Sequence, residues 1–126
     1  MIDTLCGHAE YFAEGLRKAG FDPVPVEMDV SSRESILNIL SEAQKYAEIS
    51  MPVNAAGVSP SQAPVEAILK VDLYGTAVLL EEVGKVIRRG GAGVTISSQS
   101  GWRMPALTAG EDELLAATPA ESGISW

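Results

Sequence analysis

Three short β-prone runs, each separated from the next by a segment with helical apolar spacing, constrain this chain more than any other feature. They are PVPVEMDV at 23–30, ISMPVNA at 49–55 and GVTISS at 93–98. Strands joined through helices cross over and run parallel, so the expected class is α/β: a parallel sheet of about three strands alternating with helices. The first run carries Pro23 and Pro25, which have no N–H to give a ladder, and therefore suits an edge. The last is apolar and β-branched, the pattern of a strand covered on both faces.

The intervening segments can be placed in more detail. Leu5, Ala9, Phe12, Leu16 and Ala19 recur at three- and four-residue spacing, which predicts a helix that Gly20 stops. Ser31 and Glu34 have capping-box spacing ahead of a second helix whose buried stripe is Ile36, Leu37, Leu40 and Ala43. A long helix is expected from about 64 to 87, burying Ile68, Leu69, Leu73, Leu80, Val83 and Ile87. Gly75 lies inside it and costs about 1 kcal/mol relative to alanine unless a neighbour comes close enough to need the space. From Gly101 the chain reads as loop, with Thr108 and Glu111 spaced to cap a short helix over EDELLAA. Residues 121–126 form an irregular tail ending on an exposed Trp126.

Composition excludes several classes. In 126 residues, 46% hydrophobic and 21% charged side chains can fold as one domain at most. The formal net charge of -8 is opposite in sign to what a phosphate backbone attracts, so no nucleic-acid partner is expected. A single cysteine, Cys6, can form no internal disulfide and fits a reducing cytoplasmic setting. His8 has no Cys or His at ligand spacing, and no metal site is expected. No apolar run approaches membrane-spanning length, and Asp3 stands where a signal peptide would want a cation, so no membrane partner is expected.

The stretch PVNAAGVSPSQAP, residues 52–64, draws attention to a ligand. Ala55, Ala56 and Gly57 keep the backbone bare, so a flat group such as a nucleotide can approach it, while the Asn54 amide can tie the strand end to its neighbours. A tight turn after a core strand would use the same residues without any ligand.

Four features in order resemble the short-chain dehydrogenase/reductase family, a Rossmann-type, doubly wound group of nicotinamide-dependent oxidoreductases. Asp29 and Val30 end the first run. NAAG at 54–57 stands where that family has Asn-Asn-Ala-Gly. ILKVDLYGTA resembles its Val-Asn-Leu-x-Gly, and GVTISSQSG ends in its Ser-x-x-Gly at Ser98 to Gly101. The resemblance covers roughly residues 5 to 110. It implies a partial Rossmann-type sheet whose ligand lies across the strands' carboxyl ends. It further implies NAD or NADP as cofactor, an alcohol or carbonyl as substrate, and cofactor contacts from Asp29, Val30, Asn54, Ala55, Ala56 and Gly57. Asp29 would accept from an adenine amine and Val30 touch the ring; the alternative for Asp29 is a turn into the next helix. Ser98 maps to the serine that hydrogen-bonds the substrate oxygen, with Ser97 and Ser100 structural. Asp72 stands where many members carry an asparagine that holds a water in a proton relay; an ionised aspartate accepts but does not donate. The long helix over 64–87 commonly lies at a subunit interface in that family, which makes a homo-oligomer an expectation.

Two parts of the family pattern are missing from these 126 residues. No Thr-Gly-x-x-x-Gly-x-Gly turn occurs, and GGAG at 90–93 precedes a strand instead of a helix. Tyr11, Tyr46 and Tyr74 are followed four residues later by Gly15, Ser50 and Val78, so no Tyr-x-x-x-Lys pair exists. A tyrosine without that lysine titrates near 10 and passes no proton near neutrality. The family's strand order, three-two-one-four-five-six-seven, also leaves the 23–30 run without its neighbour. The expectation is a single partial NAD(P)-binding domain over 1–126, the centre of an oxidoreductase cut before and after, with no hydride transfer of its own. The alternatives are a non-catalytic interaction module and a small nucleotide binder.

Overall fold

The computed structural model describes residues 9–121, which fall into two compact units, one ending at Thr95 and one beginning at Ile96. The first contains α1 (Ala9–Lys18), α2 (Arg33–Gln44), β1 (Val53–Asn54), α3 (Val65–Ile68), a π-helical turn (Leu69–Gly75), α4 (Thr76–Val86) and β2 (Val94–Thr95). The second holds α5 (Gln99–Arg103) and α6 (Ala109–Ala117). Helices alternate with a small parallel sheet, the arrangement of a partial Rossmann-type α/β fold.

Gly20 ends α1 as expected. With φ at +89°, a conformation that side-chain-bearing residues avoid, it lets Phe21 N donate to Leu16 O and its own N donate to Arg17 O, both at 3.0 Å. Among the α1 residues whose burial is described, Ala13 is buried and the predicted Leu16 partly so, whereas the predicted Phe12 is half exposed. Leu5, Cys6 and His8 lie outside the described residues.

The N-cap of α2 is Ser32, whose hydroxyl accepts from Ser35 N, and not the predicted Ser31. Ser31 is engaged one step earlier: both its N–H and its hydroxyl donate to the Asp29 carboxylate. The stripe of α2 is correspondingly Ile36, Ile39 and Leu40, with Leu37 exposed. These three side chains share one helical face, from which Leu37 points away.

Packing of α2 against α4 forms the core. Ile36 and Val78 are fully buried, and Val83, Ile39 and Leu40 are buried on the same two helices; a fully buried side chain of this size contributes about 1.5–3 kcal/mol. Arg33, at the start of α2, bridges the same two helices by donating to Glu82 and, at 2.8 Å, to Glu81. Lys85 adds a second cation to the buried Glu82 carboxylate at 2.8 Å. Of the residues predicted to be buried on the long helix, Leu69, Leu73 and Leu80 are exposed. The face that packs on α2 is set by Val78, Glu82 and Val83 instead.

β1 and β2 pair in parallel, Val53 opposite Val94 and Asn54 opposite Thr95. The third expected strand, 23–30, has no ladder among the described residues. Pro23 and Pro25 cannot donate, and the two described strands pair with each other. Its side chains still alternate as a strand's would, with Met28 and Val30 buried and Glu27 and Asp29 exposed. β2 is open on both faces, contrary to its composition: Val94, Thr95 and the following Ile96 are all exposed.

In the second unit Ser98 caps a short helix, α5, where a loop was expected from Gly101. α6 carries the predicted capping box: Thr108 Oγ1 accepts from Glu111 N, and the Glu111 carboxylate accepts from Thr108 N at 2.8 Å. Trp126 and most of the predicted tail lie outside the described residues. Among the described residues no helix is long and apolar enough to cross a membrane.

Candidate functional site

Three contacts of the first unit meet the long helix at the π-helical turn or at Thr76, the residue after it. β1 delivers Asn54, which is 7% exposed. Its Nδ2 donates to Thr76 Oγ1 and its Oδ1 accepts from Ala56 N, each at 3.3 Å. The amide thus ties the strand end both to the helix and to the loop that follows, the tether its position suggests.

Beyond it, Ala55 and Gly57 are exposed and Ala56 is partly so. Val58 N then donates to Asp72 Oδ1 at 2.9 Å, and a Cβ placed on Gly57 would stand 3.3 Å from the same oxygen. The stretch from Ala55 to Gly57 is therefore a bare ledge of backbone suspended between two side-chain anchors.

The third approach is made by Val30. A Cβ on Gly75 would lie 2.6 Å from the Val30 carbonyl oxygen and 3.1 Å from its carbon, so only glycine allows that backbone to pass the helix. This is the close neighbour that offsets the cost of glycine within a helix. Val30 itself is 4% exposed, which places its side chain in the core. The π-helical turn takes the Asp72 and Gly75 contacts, with Thr76 immediately after it; such turns are mostly single-turn bulges inside α-helices and are frequent at functional sites.

Asp29, at the outer end of this approach, serves the turn into α2. Its carboxylate Oδ1 accepts from Ser31 N at 2.9 Å and Ser31 Oγ at 2.7 Å, and its backbone N donates to Ser35 Oγ at 2.9 Å. Ser98 belongs to the second unit. Its Oγ accepts from Ser100 N at 3.1 Å, which leaves the hydroxyl proton available for donation.

The exposed ledge can receive a flat, uncharged ring. A diphosphate, however, needs unsatisfied amides at a helix N-terminus. The N-termini of α2 and α5 are already capped by Ser32 and Ser98, and the side chains anchoring the ledge are an amide and a carboxylate. The N-terminus of α3, by contrast, follows Pro64 and has no side-chain cap.

Sequence reasoning anticipated the Asn54 tether and left open whether a close neighbour offsets Gly75, but missed the Asp72 contact with Val58 and the Arg33 bridge. The partners in that contact are 14 residues apart, and Arg33 is 48 and 49 residues from Glu81 and Glu82. No local pattern signals either.

Residues 5–109 match the family model described as Enoyl-(Acyl carrier protein) reductase. A short-chain dehydrogenase/reductase of Alternaria brassicicola is 34% identical over 89 residues, which cover 71% of this chain and 32% of that protein. Among solved structures, a short-chain dehydrogenase/reductase from Serratia marcescens is similar with a TM-score of 0.70 at 19% identity, over 83% of this chain and 46% of that one. A short-chain dehydrogenase from Burkholderia cenocepacia, solved in complex with NADP, gives a TM-score of 0.68 at 18% identity, over 96% of this chain and 51% of that one. These matches span between about a third and a half of the relatives' lengths. The order of helices and parallel strands, the ledge after β1 and the family match together establish that the chain belongs to the short-chain dehydrogenase/reductase family.

Proposed function

We propose that these residues form the central part of a nicotinamide-dependent oxidoreductase and do not transfer hydride by themselves. The observation that carries the reading is the approach of Val30 and of the Asn54–Gly57 ledge to the helical stretch from Asp72 to Thr76, the ledge leaving the end of β1, where this class of sheet receives its ligand. NAD or NADP is the cofactor and an alcohol or carbonyl compound the substrate; the NADP complex of the Burkholderia cenocepacia relative supports the former. When bound, the nicotinamide supplies or accepts the hydride. In the first unit the ledge backbone would hold the nucleoside and Asp29 the adenine edge; Ser98 would donate a hydrogen bond, and not transfer its proton, to the substrate oxygen. No Tyr-x-x-x-Lys pair occurs in the 126 residues, so proton transfer near neutrality has no donor here. The single cysteine suits a cytoplasmic location.

The test is direct. Purified chain mixed with NADH or NADPH and a panel of aldehydes and ketones shows no oxidation of the cofactor above the protein-free rate. Turnover with any of them overturns the proposal.

One observation favours a second reading, an interaction module that self-associates through the 64–87 helix. Leu69, Leu73 and Leu80 are 37%, 45% and 55% exposed, apolar side chains that the helix leaves open to solvent. Light scattering after size exclusion distinguishes the two: a discrete oligomer supports the module, and a monomer or polydisperse aggregate removes it.

A further inference from the structure

The Asp72 carboxylate grips the far end of the ledge. Its Oδ1 accepts from Val58 N at 2.9 Å, and the same oxygen closes the space beside Gly57, where a Cβ would stand at 3.3 Å. The near end is held by Asn54 through Thr76. The two anchors, Asp72 and Thr76, are four residues apart along one continuous helical stretch. Past Val58 the chain ties mainly to itself: Ser59 N and Ser59 Oγ both donate to Gln62 Oε1, at 2.9 and 2.7 Å. Without Asp72, the outer end of the ledge would be continuous with a self-contained surface turn instead of with the helix.

We infer that Asp72 is a positioning residue whose Oδ1 latches the Gly57–Val58 backbone to the π-helical turn and so fixes where the ledge lies. The role needs an acceptor at that point and no charge. An amide oxygen can fill it and a methyl group cannot. Asp72→Asn therefore retains the latch and Asp72→Ala releases it. Gly57→Ala strains it from the other side by crowding the carboxylate. The consequence for ligands rests on the nucleotide reading above, whereas the latch itself does not.

The experiment is amide hydrogen exchange of the full chain followed by NMR, with adenosine titrated into each variant. In Asp72→Ala the Val58 amide exchanges about five- to tenfold faster, the loss expected for one net hydrogen bond. In Asp72→Asn it stays within about twofold of the wild-type rate, because the acceptor is preserved. The amides of Ile36 and Val78 are unchanged in both, which separates local release from global unfolding. Should Asp72→Ala fail to fold, Gly57→Ala serves in its place and accelerates Val58 exchange in the same direction. Adenosine affinity falls in the released variants and is retained in Asp72→Asn. Wild-type exchange at Val58 in Asp72→Ala, or equal acceleration in Asp72→Asn and Asp72→Ala, overturns the latch. If exchange behaves as expected but adenosine binds none of the proteins, the latch stands and the nucleotide reading fails.

Discussion

Replacing Gly75 with alanine sets two opposing effects against each other at one atom. In an exposed helix interior, glycine to alanine gains about 1 kcal/mol. At position 75 the new methyl carbon would arrive 2.6 Å from the Val30 carbonyl oxygen and 3.1 Å from the carbon behind it. Real Cβ atoms essentially never approach another atom so closely, and the obstacle is backbone, which cannot swing aside like a side-chain tip. Val30 is buried beside Met28 in sequence and leads directly into α2, so retreat would drag the start of the helix that packs on α4. Overpacking of this kind costs about 1–3 kcal/mol, and the immobile partner places this case at the upper end. Subtracting the helical gain leaves a net destabilisation of about 2 kcal/mol, a large share of the ordinary stability of about 5–15 kcal/mol. Gly84→Ala is the internal control, because its Cβ would meet nothing within 4 Å. There the helical term acts alone, and the variant gains about 1 kcal/mol. Urea denaturation followed by circular dichroism reads both. If Gly75→Ala proves as stable as Gly84→Ala, the close approach of Val30 to the helix is wrong.

Three further outcomes follow from the same structure. Arg33→Ala strips the buried Glu82 of its guanidinium partner but leaves it Lys85, and lowers stability by about 1–3 kcal/mol in urea titration; Glu81→Ala, more exposed, costs less than about 1 kcal/mol. Asn54→Ala removes both the Thr76 and Ala56 bonds and destabilises by about 1–3 kcal/mol by the same measurement, whereas a change within about 0.5 kcal/mol would show that the tether is idle. Hydrogen bonds from the Thr108 backbone N–H and then from its hydroxyl hold the Glu111 carboxyl below its usual 4.5. A lowered carboxyl value means the capping contribution is complete above pH 4.5 and disappears as pH falls through the folded value. NMR titration of the Glu111 side chain should therefore show a midpoint below 4.5, and Thr108→Ala should return it upward.

What could be read in advance was whatever neighbouring residues decide among themselves. The Thr108–Glu111 box, the Gly20 stop and the Asn54 tether each depend on groups within a few residues or on a single chemical capacity. The cap of α2 was misplaced by one residue because Asp29 competes for Ser31, leaving Ser32 to cap. The 23–30 run shows its strand character in the alternation of Met28 and Val30, yet pairing is a property of two segments, and β1 pairs with β2. Burial of Leu69, Leu73 and Leu80 was misjudged because apolar spacing marks a face without saying what covers it. At the site, the choice at Gly75 between a close neighbour and an uncompensated cost was legible, whereas the neighbour's identity as the Val30 carbonyl was not, since 45 positions of chain separate the two.

The seven-residue π-helical stretch makes the long helix a ratchet with one loose tooth. A π turn amounts to an α-helix that has taken in a single additional residue, so α3 and α4 are out of phase with each other on any helical wheel. Shortening this segment by one residue would restore a uniform winding while rolling Val65–Ile68 around its axis relative to Thr76–Val86. The segment is thus the place where the helix can absorb a change of length, at the expense of the anchor for the ledge.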